Sequence, residues 1–207
     1  MLTRYPVRCF LLGALLMGAS HAHAQGGVGW KAGFHMSTLF SQAQNNDLIP
    51  GGHLGVYFPL TYGNRFELQP EVLFSMQGSA RTYNEDNTRT LRLYYAQVPV
   101  SAKYFITPIL NIQGGVQLGY LGMASARTEE GSEEVTDDLQ RLDMSFIMGL
   151  GFDMMDGWDL TFRYSSGMTN VLKGDDVLFP SNRLYGISIG HRLVKQGKGT
   201  RRRHRSR

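Results

Sequence analysis

Cysteine is nearly missing from this chain of 207 residues: Cys9 is the only one. No cysteine follows Gln25, which excludes a secreted fold stapled by disulfides. A long hydrophobic run is missing as well. The apolar stretch from Phe10 to Met17 is too short to cross a bilayer as a helix, and no other run is long and apolar enough. The body of the chain also lacks the cationic excess that the overall +4 charge advertises. Residues 25–194 carry 12 bases against 17 acids, a formal −5, and seven bases crowd into the last thirteen residues. A nucleic-acid partner would require the positive face on the folded body, so none is expected.

The start of the chain reads as an export signal. Arg4 and Arg8 precede the apolar stretch, and Ala22-His23-Ala24 is a small-x-small cleavage site. Cys9 follows Val7-Arg8 rather than the small residues of a lipidation site. The expected division is a signal peptide over 1–24, one β-barrel domain over 25–194 and a basic, disordered tail over 195–207.

What is present is alternation. In 65–76, Phe66, Leu68, Pro70, Val72, Phe74 and Met76 share one parity, while Arg65, Glu67, Gln69, Glu71 and Ser75 share the other. A strand sends successive side chains to opposite faces, so one face is apolar and the other charged. Eight segments read this way, at about 28–36, 53–60, 65–77, 91–105, 111–123, 141–154, 158–165 and 183–193. Their connections alternate in length. Three are tight and carry Gly, Asn, Asp or Pro: 61–64, the stretch around Thr107-Pro108, and 155–157. Four are long and polar: 37–51, 78–90, 124–140 and 166–182.

Two barrels share that period, a soluble one with its apolar face inward and a membrane one with it outward. Three features select the membrane. The polar parity mixes glycines with long charged groups, as in Gly29, Lys31 and Gly33, which suits a narrow interior. Aromatics on the apolar parity fall near strand ends (Trp30, Tyr94, Tyr104, Tyr120, Trp158, Tyr164, Tyr185), as an interfacial girdle requires. Short turns on one rim and long loops on the other is the bacterial outer-membrane pattern. The expected fold is all-β, an eight-stranded antiparallel up-and-down transmembrane barrel in the outer membrane, with both ends of the barrel on the periplasmic rim.

The first strand, Gly29-Trp30-Lys31-Ala32-Gly33-Phe34-His35-Met36-Ser37, has a G-x-K-x-G-x-x-x-S pattern. With 66–75 and 96–105 it resembles the PorT-like outer-membrane barrel proteins of Bacteroidetes-type bacteria, over roughly residues 26–193. That resemblance implies an outer-membrane barrel, a few of whose relatives act in secretion and gliding, and it supplies no catalytic residues. The basic tail departs from it, since such chains usually stop at or just past the last strand.

Chemistry on the lumen parity centres on charge. Lys31, Arg65, Glu67, Glu71, Lys103, Arg141, Asp143, Asp153, Asp159, Arg163 and Arg192 all fall there. Charges in low dielectric must be paired, so a salt-bridged plug is expected, with a selective ion path as the alternative. His35 and Ser37 raise a lipid-modifying enzyme, but no acid is placed by sequence to orient His35. The acidic run of Glu129, Glu130, Glu133, Glu134, Asp137 and Asp138 raises Ca²⁺ or Mg²⁺ binding, yet its spacing fits no EF-hand loop and it reads as a solvated loop. No catalytic residue, cofactor or metal site is therefore assigned. The expected role is a non-enzymatic envelope component, structural, adhesive or associated with secretion or assembly. Its partners would be outer-membrane lipid and envelope or secretion-system proteins met through the loops or tail.

Overall fold

The computed structural model describes residues 27–40, 47–84, 87–128, 131–136, 139–154, 156–169 and 181–193. The signal segment and the basic tail lie outside the described residues, as do Glu129, Glu130, Asp137 and Asp138 of the acidic run. The strands are β1 (Gly29–Phe40), β2 (Ile49–Tyr57), β3 (Leu60–Tyr62), β4 (Phe66–Asn84), β5 (Asn87–Phe105), β6 (Leu110–Thr128), β7 (Gly131–Glu134), β8 (Leu142–Asp153), β9 (Trp158–Gly167) and β10 (Ser181–Arg192). All pairings are antiparallel. β1 pairs with β2 on one side and with β10 on the other, and β2 pairs with β4, so the sheet closes on itself. β3 continues the line of β2 along β4, and β7 extends the sheet beside β6. The wall is thus eight strands around.

Alternation decides which way each side chain points. Leu54, Phe74, Ala96 and Tyr120 form one row across β2, β4, β5 and β6, all facing out. The apolar parity stays exposed on every wall strand, with Phe74 at 69% and Leu118 at 54%. Water does not tolerate so continuous an apolar surface; a bilayer requires it. Aromatics mark its two edges. Trp30 and Trp158 meet edge to face at 5.8 Å near the short-turn rim, and Tyr164 and Tyr185 pair at 5.0 Å near the other. From Tyr104 to Tyr94 on β5 is ten steps of roughly 3.3 Å along a strand tilted by about 40°, or about 25 Å of height, the thickness of an outer-membrane apolar band.

Three strands exceed what the bilayer needs. β4, β5 and β6 each run for 19 residues, so most of the connection read as a long loop over 78–90 is paired strand. Beyond the hydrocarbon both faces meet water or loop, and the period that betrays a half-buried strand disappears. A bulge also breaks the parity of β6. Tyr94 faces Met123 while Tyr95 faces Leu121, which makes Gly122 the extra residue. Leu121 and Ala124 are consequently both buried, with Gly122 and Met123 exposed between them.

The turns follow backbone chemistry. Gly63 and Gly157 take φ of 66° and 90° in the β3–β4 and β8–β9 turns, a region that suits glycine. At the β5–β6 turn the Thr107 hydroxyl accepts from the Leu110 N–H at 2.9 Å.

Leu118 on β6 faces Val98 across the strand pair, midway between the aromatic edges. Leu118→Arg should cost ~2–4 kcal/mol in urea titrations from lipid vesicles, and Leu142→Arg near the rim ~0–1 kcal/mol. Equal penalties would show that the apolar band is misplaced.

Candidate functional site

The outward parity is lipid-facing, so specific chemistry must sit in the lumen or on the rims. The lumen is layered. Nearest the short turns, Glu67 of β4 accepts from Arg192 of β10 at 3.0 and 3.2 Å, and Lys103 of β5 lies 3.7 Å from it. Asp153 of β8 is bridged by Lys103 at 3.4 Å and Arg192 at 3.7 Å, and accepts from the Asn111 amide at 2.9 Å.

One layer further in, Glu71 is the hub. Arg163 of β9 grips both its oxygens, at 2.7 and 2.9 Å, while Lys31 of β1 donates at 3.0 Å and Gln69 at 2.7 Å. Lys31 and Glu71 are both completely buried. Asp159 of β9 accepts from the Tyr57 hydroxyl at 2.7 Å, and the Tyr57 ring lies 5.2 Å from the Lys31 ammonium. Four cations (Lys31, Lys103, Arg163, Arg192) thus stand among four carboxylates (Glu67, Glu71, Asp153, Asp159), and the two layers are formally neutral. The bidentate grip on Glu71 and the hydrogen bonds from Lys31, Gln69, Asn111 and Tyr57 are what allow these ions to stay charged away from water.

The third layer is a histidine chain. Gly33 pairs with His53 on one side and Ser188 on the other, and its missing side chain lets the His53 ring lie across it. His53 Nε2 is 2.8 Å from Ser188 Oγ, His53 Nδ1 is 3.3 Å from His35 Nδ1, and His35 Nε2 is 2.8 Å from the Met76 carbonyl. The ring planes are 9° apart. The partners fix the protons. A carbonyl only accepts, so His35 carries its proton on Nε2 and offers a lone pair at Nδ1. His53 therefore donates from Nδ1 and accepts at Nε2 from the Ser188 hydroxyl. The hydrogen bonds run in one direction, from Ser188 to Met76. The sequence pairing of His35 with Ser37 is not formed; Ser37 Oγ instead bonds the backbone of Gly78 at 2.9 and 3.0 Å.

Above the histidines, Asn182 donates to Gln77 at 2.7 Å, and Asp143 accepts from Thr169 at 2.8 Å and Ser145 at 3.1 Å. At the long-loop end the lining turns apolar. Leu39, Leu93, Tyr95, Leu121, Ala124 and Leu139 form one buried cluster, with Leu91 and Val135 against it. Backbone bonds to β6 hold the segment that carries Val135, Thr136 and Leu139 over the mouth, Val135 N to Ala124 O at 3.0 Å and Leu121 N to Arg141 O at 2.7 Å. At the opposite end a vestibule of 640 Å³ is lined by residues including Arg65, Glu67, Asp153 and Arg192.

Eight of the eleven charges read onto the lumen parity converge in the two lower layers. Three do not. Arg65 is exposed at the β3–β4 turn and Arg141 is exposed at the start of β8, because parity fails where a strand gives way to a turn. Asp143 is buried but sits higher, among hydroxyls and without a cation within salt-bridge reach among the described residues. Sequence reading missed Tyr57, Asn111, His53 and Ser188 as network members. Their partners lie 18 to 135 residues away, and only the closed register brings them together. Among the described residues no group of three His, Cys, Asp or Glu is placed to hold a metal, and Glu133 and Glu134 of β7 are exposed.

Removing Glu71 strands Lys31 and Arg163 without an acid. Glu71→Ala should destabilise the barrel by about 3–5 kcal/mol, against less than about 0.5 kcal/mol for Arg65→Gln at the exposed turn, both by urea titration. Long-range ¹⁵N–¹H spectra should show His35 as the Nε2–H tautomer and His53 as the Nδ1–H tautomer. The reverse pair would break the chain drawn here.

Comparison with known proteins places the fold. Among solved structures the chain is similar to Neisserial surface protein A, 11% identical with a TM-score of 0.55 over 82% of this chain and 97% of that one. It is also similar to Ail, the attachment invasion locus protein of Yersinia pestis, at 16% identity and a TM-score of 0.49 over 81% and 99% of the two chains. OprG from Pseudomonas aeruginosa is 11% identical, with a TM-score of 0.43 over 82% and 97%. At such identities the likeness is one of fold. No curated protein matches the chain. A family model described as outer membrane protein beta-barrel domain matches residues 23–173, most of the chain and every wall strand but β10, and the chain belongs to that family.

Proposed function

We propose that the protein is a plugged, non-enzymatic barrel of the outer membrane, an envelope scaffold whose specificity lies on its rims. The observation that carries this reading is the filling of the lumen. Two neutral layers of buried ion pairs cross its lower half, and an apolar cluster covers its outer mouth. Ions crossing such a path would have to break several buried ion pairs, the bidentate Arg163–Glu71 contact among them, and then pass an apolar constriction.

Catalysis gains no support from the histidine chain. Ser188 is 2% exposed, and the chain ends on a backbone carbonyl rather than on a carboxylate that could stabilise an imidazolium. Orientation follows the loop asymmetry, with the short turns in the periplasm and β4–β7 rising outside. Residues 1–24 serve as the export signal in this reading. The PorT-like resemblance of β1 favours an assembly or secretion role over a purely structural one, and the basic tail is the periplasmic contact.

Planar-bilayer recordings of the purified protein test the plug. No steady conductance is expected. A stable open level in the wild-type barrel would replace this reading with that of a small pore. Co-purification from intact envelopes with and without residues 195–207 tests the partner role; a protein set lost with the tail is the expected result.

A further inference from the structure

On the lipid-facing wall of β2, β4, β5 and β6 the apolar surface is not flush. Gly52 and Ala96 occupy outward positions among Leu54, Phe74, Met76 and Tyr94, and the β6 bulge adds Gly122 beside them. Short side chains among long ones leave a groove of 650 Å³ that these residues line. Its level in the membrane is set by register. Ala96 lies two residues above Val98 at the midplane, and Tyr94 belongs to the aromatic edge nearer the long loops. The groove therefore lies in the half of the bilayer next to the long-loop rim, where only lipid chains are available to fill it.

Directly above it the same face carries two exposed arginines, with Glu134 of β7 in the same row on the far side of Ser125. Arg92 is exposed two residues beyond Tyr94 on β5 and pairs with Ser125 of β6; Arg127, also exposed, pairs with Thr90. The two arginines are diagonal neighbours on one face, about 7–8 Å apart at the backbone, and roughly 5 and 10 Å above the tyrosine edge by strand rise and tilt. Neither makes an ion pair among the described residues. Guanidinium pairs match phosphate oxygens in charge and geometry, and this is the height of a lipid headgroup. We infer that this face is a lipid site for a phosphorylated glycolipid of the outer leaflet, with an acyl chain in the groove and a phosphate on Arg92 and Arg127.

The site rests on the barrel standing with its long loops outward. The test titrates bisphosphorylated lipid A onto the full chain in detergent micelles and counts bound copies by native mass spectrometry. One retained copy is expected. Arg92→Gln with Arg127→Gln should weaken it about 30-fold, two basic residues at ~1 kcal/mol each. Gly122→Leu should weaken it about tenfold by filling the groove; a Cβ there meets only the Tyr94 carbonyl, at 3.7 Å, so the wall accommodates it. Matching urea midpoints establish that each variant is folded. Unchanged binding in either variant overturns the site, as does displacement by inorganic phosphate alone. Equal retention of phosphatidylglycerol overturns it too, and points to a failure of the orientation rather than of the groove.

Discussion

An eight-stranded barrel encloses so little space that its contents must interlock, and that constraint governs the rest of this structure. A long lumen side chain needs an empty position beside it. Asp159 occupies the space that a Cβ on Gly190 would need, and Asn111 and Gln113 fill the space beside Gly151. Tyr57 and His53 lie against Gly29 and Gly33 in the same way. The glycines are therefore half of each interaction, since without them the charged groups could not cross to their partners. Space then forces charge balance. An uncompensated ion among these layers would be several kcal/mol unfavourable, and four cations answer four carboxylates.

Much of this is written in the sequence because a strand in a membrane wall has only two environments. Wherever one face meets lipid and the other the lumen, parity assigns both, and eight of the eleven charges on the lumen parity meet in the two lower layers. It fails where the environments stop differing. Past the aromatic edge, β4–β6 have polar residues on both faces, and the segment over 78–90 looks like a loop though most of it is paired. Arg65 and Arg141 keep the parity of the strands they adjoin but lie at their ends, exposed at the rims. Gly122 shifts the phase of β6 by one residue, a change that a single glycine among several does not announce. Pro70 and Pro99, which would argue against interior strands, lie at a break in the β4–β5 register, which resumes at Leu73 after Pro70, while Pro99 stays in register with Gln117 of β6.

The histidine chain was illegible for a different reason. His35, His53 and Ser188 belong to three strands, and nothing local distinguishes them from other lumen residues. Closure places β10 beside β1, and Gly33 between them supplies the gap. Contacts that depend on closure carry no sequence spacing, so the most directional hydrogen bonding in the lumen is also its least predictable.

Filling the interior moves any specific role to the surface. In a barrel this narrow most described lumen positions are taken by the charged, hydrogen-bonded and apolar layers, which leaves little space for a buried binding cavity. Variation compatible with the fold is then confined to three places: the extended β4–β7 rim, the short-turn vestibule around Arg65, and the lipid-facing face. The third differs from a plain membrane surface in one respect. Outward positions are under pressure only to be apolar, and long side chains serve that purpose better than glycine or alanine. Short residues also face outward at Ala32, Ala102 and Gly114, and what sets 52, 96 and 122 apart is the groove they line below two exposed arginines. A surface shaped to hold one lipid in place accounts for both.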